Sequence, residues 1–218
     1  MRFFDFLRGE RPSLIQRALS DLQVMLDTSR RMFEDACAHL LENEILEGDL
    51  NAQDETVNER EADIRRAVLE HMKGDPKREV VLGLVLISIV QDAERIGDLA
   101  KSISEVARMA HGPRHGTQID RLRALRDRVA VDFRDTSDAL TRADEERARA
   151  VMDRSAAIKE ELTGYIREIA RDGSLDSNTA VVMALGARMM SRTSSHLSNI
   201  ASSVAMPFEQ IRRQPDWE

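Results

Sequence analysis

"VVLGLVLISIVQDAERIGDLAKSI" (Val80–Ile103) opens on an almost unbroken apolar run, Val80–Val90, and then presents Glu94 and Asp98 with Gly97 between them. The run is short of the roughly 18 apolar residues that a membrane-spanning helix needs. Read at the period of an α-helix, the stripe continues through the acids: Glu94 lies one turn from Val90 and two from Ile87. A carboxylate on a partly buried stripe is costly unless it is paired, hydrogen-bonded or bound to a metal ion. With 39 acids in 218 residues, roughly seven i, i+4 acidic pairs arise by chance, and most such pairs face solvent. This pair differs in the apolar face it interrupts and in Gly97, which costs about 1 kcal/mol relative to Ala inside a helix and admits a close neighbour.

The same period organises the rest of the chain. After Pro12-Ser13, apolar residues recur at Ile15, Leu19, Leu22, Leu26, Met32, Phe33, Ala36 and Leu40 and predict a first helix, broken at Glu47–Asp49. A second helix is expected from Asn51–Asp54 to Gly74–Pro76, carrying Val57, Ile64, Val68 and Met72 on one side. A third runs from about Lys77 to Met109 and ends at "HGPRHG" (His111–Gly116). Helices are then predicted over about Gln118–Arg142, Asp144–Arg171 and Asn178–Arg212. Three helices, a glycine-rich break and three more define an all-α chain of two tandem three-helix bundles, six long helices with a pseudo-two-fold internal repeat. The boundary falls between residues 112 and 113, giving units 1–112 and 113–218.

If the second and third helices form a hairpin turning at Pro76, residues equidistant from it lie level. Asp54 then faces Asp98, and Asn58 faces Glu94. Four oxygen-bearing side chains on facing helices are a candidate site for a hard cation. Arg95 and Lys101 are close enough to make an ion-pair reading the alternative. A turn at Ser174 in the second half sets Asp153 opposite Ser195 and Ala157 opposite Ser191, a degenerate second site.

Composition excludes several classes of function. The net charge of −7 argues against general nucleic-acid binding, which needs a basic surface. Arg121, Arg123, Arg126 and Arg128 alternate with acids, as on a solvated helix face. The single cysteine, Cys37, sits among apolar neighbours as a core residue and is compatible with a reducing cytoplasm. "MRFFDFLRGERP" lacks the apolar stretch of a signal peptide, so a soluble cytoplasmic chain is expected. His39, His71, His111 and His115 show no zinc-ligand spacing. His71 is expected to favour a helix carboxyl end. There is no nucleophile elbow, phosphate-cradling glycine loop or Cys/His pairing, so a nucleophilic enzyme is not indicated. Met183, Met189 and Met190 read as core filler.

"DAERIGDLAKSISEVA" (Asp92–Ala107) resembles the LERIGDHAxNIAE signature of the PhoU family of phosphate-uptake regulators. "QDETVNEREADI" (Gln53–Ile64) resembles the family's preceding D-x-x-[IV]-[ND] helix motif. "MSRTSSHLSNIASSV" (Met190–Val204) is similar to the first signature at Arg192, His196, Asn199, Ile200 and Ala201. The resemblance spans nearly the whole chain, specific in the first half and degraded in the second.

It implies tandem three-helix bundles and a metal site (iron, manganese, zinc or magnesium) at Asp54, Asn58, Glu94 and Asp98, with Asn58 standing where the family often has an acid. In the second bundle it leaves only Asp153, since Ala157, Ser191 and Ser195 hold the other positions. It further implies a non-catalytic regulator that restrains phosphate uptake and phosphate-starvation signalling. The expected partners are a Pst-type ABC or sodium/phosphate-type transporter, a sensor histidine kinase, or both, with a homodimer also open. An accessory role to a low-affinity or sodium-coupled phosphate transporter is the alternative, in keeping with the short "MRFFDFLRGE" lead. A metal-storing or catalytic helical bundle and a purely structural scaffold are the remaining readings; Glu-x-x-His motifs, usual in carboxylate-bridged sites, are absent from the sequence.

Overall fold

The computed structural model describes residues 13–46, 48–74 and 80–212. The "MRFFDFLRGE" lead, Pro12 and the expected turn at Pro76 lie outside them. Among the described residues six helices follow in order: α1 Ser13–Leu41, α2 Leu50–Gly74, α3 Val80–Arg108, α4 Thr117–Arg142, α5 Glu145–Ile169 and α6 Ser177–Ala205, with a 3-10 turn at Phe208–Gln210. Among the described residues there is no strand. The chain is all-α, as the apolar stripes predict.

The helix ends have local causes. Asp144 caps α5 by accepting the Arg147 N–H, and Asp176 caps α6 by accepting from Asn178 and Thr179. The last helix stops at Ala205 and not near Arg212. Pro207 cannot donate into the helical ladder and disfavours a helical residue before it, so the chain turns extended at Met206.

α1, α2 and α3 pack together, as do α4, α5 and α6, and the two sets meet chiefly where α3 lies along α6 and α1 along α4. A single contiguous core runs through both sets. Its centre holds Phe33 of α1 and Phe133 of α4, both buried, with ring centroids 5.6 Å apart and a 41° tilt. Met183 and Met190 are buried in this core, Met189 packs against it, and Cys37 is fully buried. Where α6 passes the end of α1 the Leu40 side chain packs against Gly186, so that a Cβ there would stand 2.5 Å from Leu40 Cδ2. Among the described residues no helix is long and apolar enough to cross a membrane.

The segment joining α3 to α4 is pinned to α1. Arg114 donates from Nε to the Leu40 carbonyl (2.5 Å) and from Nη2 to the His39 carbonyl (2.7 Å). Its backbone exchanges two hydrogen bonds with the Asn43 side chain. A cation on the last carbonyls of a helix satisfies orphan acceptors and suits the negative end of the helix dipole. The arginines of α4 also do more than face solvent. Arg123 and Arg126 both pair with Glu42 beyond the end of α1, while Arg128 and Arg121 reach Glu161 and Glu168 on α5.

Candidate functional site

The α2–α3 hairpin brings the predicted oxygens together. Asp54 is 8 % exposed, and its Oδ1 lies 3.4 Å from where a Gly97 Cβ would stand. Asn58 is one turn further along α2 and donates to Asp54 Oδ2 at 3.1 Å. Glu94 and Asp98 are half-buried on α3 and share a hydrogen bond. Burial, reinforced by the Asp98 charge, pushes Glu94 up to about 7. Burial would raise Asp98 too, but hydrogen bonds from Lys101 and Glu94 hold it below the usual carboxylate range. The proton that Glu94 shares with Asp98 is therefore held until the pH rises through about 7.

The cation in this groove is Lys101. Its Nζ lies 2.6 Å from Asp54 Oδ2 and 3.1 Å from Asp98 Oδ1, so it joins the two helices. Burial alone would lower its pKa, but the hydrogen bonds to Asp54 and Asp98 raise it. Arg95 adds a second positive charge at the rim, 3.1 Å from Asp98 Oδ2 and 3.5 Å from Glu94 Oε2. Lys101 is one turn beyond Asp98, and a helical side chain leans back over the turn before it, which sets its ammonium over the acids.

The donor chemistry of Asp54, Asn58, Glu94 and Asp98 suits a hard cation, and Asp54 Oδ1 has no hydrogen-bond partner. As they stand, however, these residues do not fit a metal ion. Lys101 holds the bridging oxygens, and among the described residues no three carboxylate, imidazole or thiolate groups are placed to hold one. The ion-pair alternative read from the sequence describes this arrangement.

Gly97 is not sterically obligatory. Its hypothetical Cβ would meet Asp54 Oδ1, Ser29 Oγ and Met32 Cε at 3.4–3.8 Å, ordinary contact distances. Gly97→Ala is therefore expected to fold normally and to gain up to about 1 kcal/mol from helix propensity. A loss above about 2 kcal/mol in urea unfolding would show that the close approach is required.

The second half is built differently. Asp153 and Ala157 lie on the exposed side of α5, and the contact across that hairpin is made by Ser155, whose Oγ donates to the Ser194 carbonyl at 3.0 Å. Ser191 is buried, and Ser195 donates back to its carbonyl. The buried acid of this half sits on α4, three residues from Val129 on that helix's apolar stripe. Asp132 is fully buried and accepts from Arg154 Nε at 2.7 Å, while Arg154 Nη2 reaches Asp135 at 2.5 Å. Burial pushes Asp132 up to about 6 in spite of Arg154.

A third polar node lies between the halves. Asp92 on α3 is 1 % exposed and accepts from His196 Nδ1 (2.7 Å), Asn199 Nδ2 (3.1 Å) and Arg212 Nε (2.9 Å). His196 and Asn199 are among the residues by which the degraded second motif matches the signature.

Six helices in two sets, with an acidic α2–α3 groove in the first, define a tandem helical-bundle protein. Residues 22–107, most of the first bundle, match the family model of the PhoU domain, the family its motifs resemble. The fold is similar to that of PhoU from Pseudomonas aeruginosa, at 21 % identity and a TM-score of 0.79 over 88 % of this chain and 95 % of that one. It is also similar to the phosphate transport system regulatory protein PhoU from Streptococcus pneumoniae, at 14 % identity and a TM-score of 0.71 over 88 % and 91 % of the two chains. No curated protein matches the chain.

Proposed function

We propose that this protein is a regulator of phosphate transport. It acts as a non-catalytic cytoplasmic adaptor that restrains phosphate uptake and phosphate-starvation signalling through a membrane transporter, a sensor histidine kinase, or both. The observation that carries this reading is the "ERIGD" turn of α3 within a stretch that matches the PhoU domain. The likeness of the whole fold to two PhoU structures supports it. Physical chemistry supports it as well. Long helices with a net charge of −7 suit docking on a basic cytoplasmic surface of a membrane protein, where complementary charge speeds encounter and selects the partner. Cys37 is fully buried and burial drives its thiol far above the usual range, which leaves it a poor nucleophile.

Deletion of the gene is expected to raise phosphate uptake and a phosphate-starvation reporter several-fold in phosphate-replete medium, with restoration by the wild-type chain. Unchanged uptake together with an unchanged reporter would overturn the regulatory reading.

A further inference from the structure

We propose that the exposed face of α6 is a docking surface for an acidic, amphipathic protein segment, held by Arg188 and Arg192 at one end and by Val181 and Met109 at the other. The inference rests on the regulatory reading only in placing that segment on a membrane partner.

α6 carries no aspartate or glutamate in its 29 residues. With 39 acids in 218 residues, a stretch of that length holds about five by composition. Burial does not explain the gap. α3, the matching helix of the first bundle, is also 29 residues long and is buried to a similar extent, yet it carries Asp92, Glu94, Asp98 and Glu105.

The repeat shows what the gap does. "SRTSS" (Ser191–Ser195) stands where α3 has "ERIGD" (Glu94–Asp98), so Arg192 is the counterpart of Arg95. Arg95 is paired with Glu94 and Asp98, whereas Arg192 has Ser191 and Ser195 in their place. Arg188 stands one turn before Arg192 on the same face of the helix. Both are exposed, and among the described residues neither meets an acid. In a chain of net charge −7, this face is inverted in sign relative to the α2–α3 groove.

The basic pair continues into apolar surface. Asp92 meets His196, and Asn178 donates to the Met109 carbonyl, so α3 and α6 run antiparallel and Met109 lies beside the start of α6. Met109 is 49 % exposed and Val181 48 %. Val181, Leu185, Arg188 and Arg192 follow one another at helical spacing along one face. A helix presenting apolar residues and then acids matches that order. The other anionic candidate, a lipid bilayer, is recognised by clusters of roughly four to eight basic residues. Here two stand in an acidic chain, so a protein segment is the better match.

The test is cosedimentation of the full-length chain with inside-out membrane vesicles from phosphate-replete cells of its own organism. Arg188→Glu with Arg192→Glu is expected to weaken binding at least about tenfold, since it sets like charges against the segment. Arg188→Lys with Arg192→Lys keeps the charge and should retain most of the binding. Val181→Asp should weaken it as well. Arg167→Glu with Arg171→Glu makes the same change of net charge at exposed positions elsewhere and should leave binding as in wild type. All these positions lie at the surface, and an unchanged helical circular dichroism spectrum verifies folding. Wild-type affinity in the α6 reversal would overturn the proposal, as would an equal loss in the Arg167/Arg171 reversal or no binding by wild type. Equal binding to protease-stripped vesicles or to pure phosphatidylglycerol vesicles would also overturn it and assign the face to lipid. If deletion of the gene alters phosphate uptake while the α6 reversal binds as wild type, only this proposal fails. Unaltered uptake and reporter on deletion overturn the regulatory reading, and the vesicle result then decides the docking surface by itself.

Discussion

Phe33→Ala is expected to cost about 4 kcal/mol of unfolding free energy, the range for truncating a fully buried phenylalanine. Phe33 has no exposed surface and stacks at 5.6 Å on Phe133, so truncation removes its own burial and leaves the Phe133 ring facing a void. The two rings belong to different halves of the chain. Their loss should therefore weaken the joint and both bundles together, because one core runs through all six helices. Urea unfolding followed by circular dichroism should show one transition, moved to lower denaturant with its slope unchanged. A double-mutant cycle with Phe133→Ala should return a coupling of about 1 kcal/mol for the ring pair itself. Two separated transitions, one per half, would contradict the shared core.

Asp92→Ala is expected to cost about 3 kcal/mol, within the range for removing one partner of a buried charged network. The carboxylate is nearly inaccessible and gathers donors from three places: His196, Asn199 and the Arg212 guanidinium beyond the 3-10 turn. Removing it leaves those donors facing one another across the seam between α3 and α6. Asp92→Asn keeps one acceptor oxygen without the charge and should lose roughly half as much. The loss should persist at high salt, since screening acts mainly on exposed pairs. A cost below about 1 kcal/mol for the alanine variant would show that the node is not what ties the end of the chain to the first bundle.

Much of the fold was legible because helices advertise themselves at a fixed period and are punctuated by Gly, Pro and capping acids. Four helices end close to where the stripe and breakers place them, while the first stops at Leu41, ahead of the expected break at Glu47–Asp49, with Asn43 already in the left-handed region. The sixth was overrun because its small and apolar pattern continues toward Arg212, while the decisive residue was Pro207. That Asp54, Asn58, Glu94 and Asp98 share one groove was legible because the direction of such side chains follows from helix register; what the groove holds was not. Lys101 was named in the sequence as a neutralising candidate, but its role as the bridge was not legible. A four-carbon stem reaches in many directions, and only the packed geometry selects one.

In the second half, the level set by the turn was displaced. Each residue of shift turns a helix face by about 100°, which is enough to bring Ser155 to the contact and leave Asp153 on the outside. Asp132 was passed over although it falls on the stripe of Leu125 and Val129, since a lone acid in a charged helix has no second acid to mark it. His196 and Asn199 did leave a trace. They match the signature where the acids around them do not, and they turn out to serve the seam and not a cation.

Arg114 has a bearing on how freely the two helix sets can move against each other. A joint between repeated halves is the usual place to look for a hinge, and here the joint's own guanidinium and backbone are fastened to the end of α1. Swinging the halves apart would strip those bonds and open the core behind them. The molecule is built to behave as one stiff body, whose outline stays fixed while the charges along its surface can change with protonation or occupancy.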